Sequence, residues 1–239
     1  MIEARHTRWA EWIFYPYLHW LIRRSFRRIA VLGPVPECST DTNLFLLPNH
    51  STWWDGFFVL LLNERIFKRK PYIMMLERQL RKYSFFRRIC AYSIDPEKPK
   101  KIIESIHYTS TQLDESPGSR LVCYFPQGEL LPWNARPLGY KKGLERVCDS
   151  ITTPVTILPL AMRCEFQQDQ KPSCYCLFGE PRHYSPGDHI ASEQLESDET
   201  KLLEELLDRI ASGETGEDIM AGSVSVNDRL DKMRGKYQQ

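Results

Sequence analysis

A histidine and an aspartate stand five residues apart in the segment PNHSTWWD, residues 48–55. A neutral imidazole that a carboxylate holds in one tautomer can take a proton from a hydroxyl group, as a general base does. In this interpretation His50 is the base and Asp55 orients its ring. A histidine close to an aspartate is more often a surface pair or a loop hydrogen bond, so the choice depends on the other segments of the chain.

The flanking residues predict that this pair lies on a turn between a strand and a helix. The apolar run that precedes the segment is typical of a buried strand, and residues 56–62 predict a buried helix. Residues five apart on a regular helix point about 140° away from each other, so His50 must precede the first helical turn. Asp55 then lies in that turn, where the helix dipole favours a carboxylate, and Ser51 or Thr52 is the predicted N-cap.

Strands and helices alternate along the rest of the chain. Strands are predicted at residues 43–47, 71–75, 90–95, 120–125, 155–163 and 173–178, and helices at 56–62, 77–89, 99–114, 143–150 and 193–211. This alternation predicts an α/β fold with a mostly parallel central sheet flanked by helices, whose reactive loops lie at the carboxyl ends of the strands. His50 and Gly128 both follow a predicted strand, so we expect both at that edge.

Composition and charge narrow the class of protein. The chain has 239 residues, 42% of them hydrophobic, which suits one large α/β domain or a domain with an extension. Its seven cysteines form no pair of CxxC units and no secretory leader precedes them, which predicts a reduced, intracellular chain without a structural zinc site. Residues 64–101 contain twelve Lys or Arg and four acids, whereas thirteen acids and six bases follow from residue 188. The basic half favours anionic partners such as a membrane, a phosphate-bearing co-substrate or nucleic acid.

The N-terminal segment is rich in aromatic residues between positions 9 and 22 and is followed by four arginines at 23, 24, 27 and 28. It is interrupted by polar residues and is shorter than the roughly 20 apolar residues that span a bilayer. The pattern predicts an amphipathic helix that lies in the headgroup region of a membrane. The alternative is a helix that packs its aromatic side chains on the domain, and the sequence leaves both open.

Several sequence blocks occur in a fixed order after this segment. They are Asn49-His50 with Asp55, AYSID at 91–95, FPQG at 125–128, YKKG at 140–143, VTILPL at 155–160 and GEP at 179–181. Together they resemble the glycerolipid acyltransferase family, the lysophosphatidate and glycerol-3-phosphate acyltransferases, over about residues 40 to 185. The predicted organisation is an N-terminal amphipathic helical segment (1–36), an acyltransferase domain (37–190) and an acidic C-terminal helix and tail (191–239), with the last 28 residues loosely ordered.

The resemblance implies a membrane-associated O-acyltransferase. His50 would act as general base on a lipid hydroxyl, which attacks the thioester of acyl-CoA or acyl carrier protein, and Asp55 would orient the ring. The implied substrate-binding residues are Asn49, Phe125, Pro126, Gln127, Gly128, Glu129, Lys141 and Lys142. The expected partners are the thioester donor, the lipid acceptor and a membrane surface, with no nucleic acid, no metal and no cofactor beyond the thioester. The expected location is cytoplasmic, peripheral on the inner face of a membrane.

The chain differs from the family at the positions where the family is expected to bind the acceptor phosphate with arginines. Residues 127–130 read QGEL where the lysophosphatidate enzymes have Glu-Gly-Thr-Arg, and Asp95 is followed by Pro96 instead of an arginine. A buried phosphate without its cations is costly, so we expect an acceptor without a terminal phosphate, such as a glycolipid, a lysophospholipid with a capped headgroup or a glycosylated isoprenoid. One alternative is a lysophosphatidate acyltransferase in which Arg136 replaces the missing cations.

Other function classes fit less well. A non-catalytic lipid-binding member of the fold is a second alternative, because Gln127 also removes the carboxylate of the third block. A serine hydrolase would need a Gly-x-Ser-x-Gly elbow, which the sequence lacks. The histidines other than His50 have no ligand spacing for a metal.

Overall fold

In the computed structural model, which describes residues 1–223, nine strands form one sheet and six α-helices pack around it. The strands are β1 (Arg28–Val31), β2 (Asn43–Pro48), β3 (Lys70–Leu76), β4 (Ala91–Ile94), β5 (Arg120–Cys123), β6 (Val155–Glu165), β7 (Ser173–Phe178), β8 (Arg182–Tyr184) and β9 (Glu217–Ala221). The helices are α1 (Arg8–Ser25), α2 (Asp55–Leu62), α3 (Glu77–Lys82), α4 (Pro99–Asp114), α5 (Gly143–Asp149) and α6 (Ser192–Ala211). A π-helical turn (Asn63–Phe67) continues α2, and a 3₁₀ helix (Ser84–Arg88) follows α3.

The sheet is mostly parallel, which confirms the fold class predicted from the sequence. Its strand order is β4-β3-β5-β2-β6-β7-β1-β9, and β8 pairs with β6. The pairs from β4 to β6 along this order are parallel, as is β1 with β7, whereas β6–β7, β6–β8 and β1–β9 are antiparallel. All six residues of β2 are buried, because helices cover both faces of a central parallel strand. The carboxyl ends of β2, β3 and β5 therefore meet at one edge.

Helix α2 has no polar face, and its burial explains why. Every residue from Phe57 to Leu62 is buried, and the helix is enclosed between the sheet and α1. Phe58 packs against Phe26, with ring centroids 5.0 Å apart. Burial of each such side chain contributes about 1.5–3 kcal/mol, so α2 is held by packing rather than by its length of eight residues.

Helix α1 carries an apolar face on either side. One face, with residues at i, i+4 spacing, is buried against the domain and consists of Ala10, Phe14, Leu18 and Ile22. The other exposes Trp9, Trp12, Ile13, Tyr17 and Trp20, each at least 51% exposed. The packing interpretation of this helix is therefore right for one face, and the second face remains apolar and open to solvent. None of the helices in residues 1–223 combines the length and apolar character that crossing a bilayer requires.

Two neighbouring strands at one end of the sheet differ from the prediction. β1 lies within the predicted N-terminal helical segment, and β9 lies within the last 28 residues, which were expected to be loosely ordered. The two pair with each other, Ile29 opposite Met220, and β1 also pairs with β7. Tertiary pairing decides both strands. Residues 224–239 lie outside the described part of the chain, and the predicted domain boundaries stay predictions.

The basic segment 77–89 is two short helices where one was predicted. The chain leaves helical geometry at Tyr83, with φ −115° and ψ 55°. This break turns Phe86 under α1, where its ring lies 6.2 Å from that of Phe14 and 5.9 Å from that of Phe57. Packing of an aromatic side chain therefore overrides the helical propensity of the charged residues.

Candidate active site

His50 lies two residues after the end of β2, at the carboxyl edge of the parallel strands, and Asp55 begins α2. The His50 Nδ1 atom lies 2.9 Å from the Asp55 Oδ2 atom. The same oxygen accepts hydrogen bonds from the backbone N–H groups of Ser51 (2.7 Å) and Thr52 (2.9 Å), and Oδ1 accepts one from the Thr52 hydroxyl (2.5 Å). Asp55 is fully buried, so its carboxylate is fixed by four donors.

The predicted N-cap is wrong. The residue at that position is Trp54, which makes no side-chain cap, because α2 starts only at Asp55. Thr52 stabilises the turn instead. Its hydroxyl oxygen accepts a hydrogen bond from the Trp54 N–H (3.1 Å), and its hydroxyl group donates one to Asp55. This tight turn brings the side chains of His50 and Asp55, which are five residues apart, into contact.

This geometry is that of an oriented base. Because Nδ1 donates to the carboxylate, the ring is held as the tautomer whose Nε2 carries a lone pair. The His50 side chain is 24% exposed, whereas that of Asp55 is 1% exposed. The imidazole is thus open to solvent on one side and held by the carboxylate on the other.

A second loop holds the same histidine. The Phe125 ring stacks on the imidazole with centroids 4.1 Å apart and an interplanar angle of 26°. The buried Gln127 side chain accepts a hydrogen bond from the His50 backbone N–H, and the Leu131 N–H donates to the His50 carbonyl oxygen (2.9 Å). The loop after β5 therefore fixes both backbone polar groups of His50 and one face of its ring.

Pro126 and Gly128 shape this loop. The Gly128 N–H donates to the Phe125 carbonyl oxygen (3.0 Å), and Lys141 N–H donates to the Pro126 carbonyl oxygen (2.9 Å). Gly128 has φ +70°, a left-handed conformation that favours glycine. The Gly128 N–H is used to close this turn, and the turn places the Gln127 side chain beside His50.

Asn49 differs from the expectation of a substrate contact. It is buried, its amide NH₂ donates to the Met162 carbonyl oxygen (3.1 Å), and its amide oxygen accepts the Met162 N–H (2.7 Å). Both polar groups of the side chain are therefore used to join the end of β2 to β6. Asn49 anchors the backbone from which His50 projects.

Glu129, Lys141 and Lys142 lie at the surface beside the loop. The Lys141 ammonium is 3.3 Å from the Glu129 carboxylate, and the two side chains are 60% and 61% exposed. An exposed pair of this kind contributes little to stability. Lys142 is exposed and immediately precedes α5.

Three cations near the ends of β3 and β4 have carboxylate partners, namely Arg81, Lys98 and Lys101. Asp95 pairs with Lys98 at 3.1 Å and lies 3.9 Å from Lys101. Lys101 in turn pairs with the buried Glu77 at 2.6 Å. Hydrogen bonds from Lys101 and then from Arg81 lower the pKa of Glu77 to about 2. After the second sequence block, Lys98 and Lys101 are therefore engaged with carboxylates.

Two contributors to the site were not foreseen from the sequence, namely Leu131 and Met162. Each acts through its backbone, and a backbone hydrogen bond carries no residue-type signal. The seven cysteines are all free thiols. In the part of the chain that the structure describes, no group of three or more His, Cys, Asp or Glu is arranged to hold a metal ion.

Comparison with known proteins shows which family the chain belongs to. The family model described as Acyltransferase matches residues 28–163, a span that runs from β1 into β6 and includes His50, Asp55 and the loop after β5. No curated protein and no solved structure matches the chain significantly. The chain belongs to the acyltransferase family, of the glycerolipid type that its sequence blocks resemble, and is an enzyme that transfers an acyl group to a lipid.

Proposed function

We propose that this enzyme is a membrane-associated O-acyltransferase that moves a fatty acyl group from acyl-CoA or acyl carrier protein to a lipid hydroxyl, with His50 as general base. The observation that carries the proposal is the 2.9 Å contact between His50 Nδ1 and the fully buried Asp55 carboxylate, which leaves Nε2 to the acceptor.

The reaction is a direct transfer. The acceptor hydroxyl gives its proton to Nε2 of His50 while its oxygen attacks the thioester carbonyl carbon, which forms the new C–O bond. Collapse of the tetrahedral intermediate breaks the C–S bond, and the departing sulfur takes the proton back from Nε2. The products are a lipid ester and a free thiol. Asp55 stabilises the transient imidazolium and contributes to the roughly 10²- to 10⁴-fold acceleration typical of positioned acid–base catalysis.

The test of the base is His50→Ala, assayed with radiolabelled acyl-CoA and a lipid acceptor. We expect transfer to be abolished with the circular dichroism spectrum unchanged, because the His50 side chain is partly exposed. His107→Ala is the matched control, since His107 is an exposed histidine on α4 and should leave transfer intact. Transfer by His50→Ala at the wild-type rate would refute the proposed base.

The exposed face of α1 supports the membrane part of the proposal. Its aromatic side chains lie beside cations: the Arg88 guanidinium is 5.4 Å from the Trp9 ring centre, and Arg24 is 5.4 Å from that of Trp20. Aromatic rings next to arginines suit the headgroup layer of an anionic leaflet, which is the cytoplasmic one. The surface continues onto the 3₁₀ helix, because the rings of Trp9 and Phe85 are 6.2 Å apart.

For the acceptor we propose a lipid hydroxyl without a terminal phosphate nearby. The two positions where the family has arginines are here Leu130 and Pro96, and the neighbouring cations Lys141 and Lys101 are paired with carboxylates. The Arg136 guanidinium donates to the Ala135 carbonyl oxygen of its own loop (2.7 Å). A phosphomonoester would have to displace these partners before it was neutralised.

A panel of acceptors tests this choice. Lysophosphatidate, glycerol 3-phosphate, a lysophospholipid with a capped headgroup and a glycolipid are each offered with the same radiolabelled acyl-CoA. We expect kcat/KM for the phosphate-capped or phosphate-free acceptors to exceed that for lysophosphatidate by at least about tenfold, which is about 1.4 kcal/mol. Faster turnover of lysophosphatidate would favour a phospholipid-precursor enzyme that uses Arg136.

A further inference from the structure

Two cysteines face each other across the antiparallel strands β6 and β7. Cys164 on β6 is the direct partner of Cys174 on β7, close to the connection 166–172 that joins the two strands. Side chains of directly opposed residues project from the same face of a sheet, so the two thiols lie side by side. The proposed acyl transfer uses neither of them.

The backbone hydrogen bonds define the type of this pair. The Gly179 N–H donates to the Pro159 carbonyl oxygen (3.0 Å), so the odd-numbered residues of β6 are those that exchange hydrogen bonds with β7. Met162 agrees, because its N–H and carbonyl groups bond to the Asn49 side chain, on the side of β6 away from β7. Cys164 therefore belongs to a non-hydrogen-bonded pair. In such pairs the Cα atoms are about 4.5 Å apart and the side chains approach closely.

This spacing suits a disulfide bond, in which the Cα atoms are roughly 4.4–6.8 Å apart. Cys176 is the third thiol on the same face, opposite Met162. It is about 7 Å along the strand from Cys174 and about 7–8 Å diagonally from Cys164. Of these three cysteines, Cys164 and Cys174 are thus the two whose backbones already have the spacing of a disulfide.

The two thiols differ in their access to solvent. Cys164 is half-buried, whereas Cys174 is fully buried beside Ile29 of β1. Burial, followed by the neighbouring sulfurs of Cys164 and Cys176, raises the pKa of Cys174 well above the usual value of a thiol. Oxidants react with exposed thiolates, so an oxidant that arrives from solvent meets Cys164 first and leaves Cys174 as a protonated thiol behind it.

We propose that Cys164 and Cys174 form an oxidation site for hydrogen peroxide, in which Cys164 reacts with the peroxide and Cys174 is the resolving thiol. The Cys164 thiolate attacks one peroxide oxygen, the O–O bond breaks, and the released hydroxide takes up a proton to give water. Cys164 is now a sulfenic acid. The Cys174 sulfur attacks the Cys164 sulfur, which forms the S–S bond and breaks the S–O bond, and the leaving hydroxide takes the Cys174 proton. Two thiols are oxidised to a disulfide, and one peroxide is reduced to two waters.

The disulfide would stabilise the end of this hairpin, because it restricts the unfolded chain between residues 164 and 174. We expect the oxidised protein to unfold at a higher urea concentration than the reduced protein, and a thiol reductant to abolish the difference. Equal urea midpoints of the two forms would contradict this consequence.

The test exposes the full chain to hydrogen peroxide without reductant and then blocks the remaining thiols with N-ethylmaleimide in urea. Trypsin and chymotrypsin cleave after Arg163, Phe166 and Tyr175, which places the three cysteines of this face in three different peptides. Mass spectrometry should find peptide 164–166 linked to peptide 167–175, lighter than their sum by two hydrogens. The link should be absent after treatment with dithiothreitol.

Serine variants assign the two roles. Cys174→Ser should accumulate the sulfenic acid at Cys164 and take up at least about tenfold more dimedone there than wild type, because the resolving thiol is missing. Cys164→Ser should leave the buried Cys174 unlabelled. Cys176→Ser should form the same link as wild type. Cys38→Ser is the matched control, since Cys38 is the other half-buried cysteine, and it should also form the link.

A link that contains Cys176 or Cys38, or Cys164 found only as a sulfinic or sulfonic acid, would overturn the role of Cys174. An unmodified Cys164 at every peroxide concentration that leaves the circular dichroism spectrum intact would overturn the site itself. None of these measurements depends on acyl transfer, so their outcome is separate from the test of His50.

Discussion

Gln127 accepts a hydrogen bond from the backbone N–H of His50, so the loop after β5 and the end of β2 are joined at the proposed base itself. The family block has a glutamate at this position. The hydrogen bond to the His50 N–H explains why a glutamine can replace it. What the site needs here is a side-chain oxygen at the right distance, and an amide oxygen provides it without a second buried charge beside Asp55.

Substitution of Gln127 tests this relationship. Gln127→Leu removes the acceptor and leaves the His50 N–H unsatisfied, which costs about 1–3 kcal/mol and should lower kcat at least tenfold. Gln127→Glu keeps an oxygen in place and should retain kcat within a few fold. The steady-state rates of the two variants check this, and equal losses in both would contradict it.

Replacement of Asp55 by asparagine removes the charge but keeps the size of the side chain. We expect kcat to fall by about 10²- to 10⁴-fold, because the amide no longer stabilises an imidazolium and cannot accept from the ring and two backbone N–H groups in the same way. KM should change little. The exposed Asp41→Asn is the control and should match wild type. A kcat within threefold of wild type in Asp55→Asn would exclude its role as orienting group.

The exposed face of α1 predicts binding to membranes. The double variant Trp12→Ser with Ile13→Ser removes two side chains that are 79% and 51% exposed, so the fold should be unaffected. Sedimentation with phosphatidylcholine vesicles that contain phosphatidylglycerol should show at least about tenfold weaker binding, since the lost apolar burial exceeds about 1.4 kcal/mol. Ile103→Ser, at an isoleucine 63% exposed on α4, should bind like wild type. Unchanged binding of the double variant would show that this face does not touch lipid.

Glu199, a buried residue of α6, predicts a dependence of stability on pH. Its folded-state pKa is about 8 and lies above that of an exposed glutamate, so the folded protein holds a proton that the unfolded chain releases. Stability attributable to this group is complete below about pH 4 and is lost as the pH rises through about 8. Urea unfolding at pH 5 and pH 8.5 should therefore show the advantage of Glu199→Gln over wild type growing by several kcal/mol. A difference that is the same at both pH values would mean that Glu199 is not held neutral by the fold.

The pairing of His50 with Asp55 and the parallel sheet follow from patterns that the sequence contains. The five-residue spacing of His50 and Asp55 allows convergence only on a turn, and the apolar runs on either side supply the strand and helix that make the turn. The strands from β2 to β7 are continuous apolar segments, and such segments can be recognised because both of their faces are buried.

The features that could not be predicted from the sequence are contacts between residues that lie far apart along the chain. Asn49 appeared to be a substrate contact, yet its amide bonds to Met162, 113 residues away, and the residue type is equally suited to both uses. The sequence of the charged helix α6 shows an apolar stripe, but the burial of Glu199 on the same helix is fixed only by how α6 packs on β6. Such contacts are decided by tertiary geometry.

The pairing of β1 with β9 has a consequence for synthesis of the chain. β1 is made within the first 31 residues, but its outer edge has no partner until residue 221 has been translated. Until then the nascent protein carries a row of unpaired backbone N–H and C=O groups that can recruit a strand from another chain. Translation that stops short of β9 should therefore yield aggregates, even though every residue of the catalytic pair has already been made.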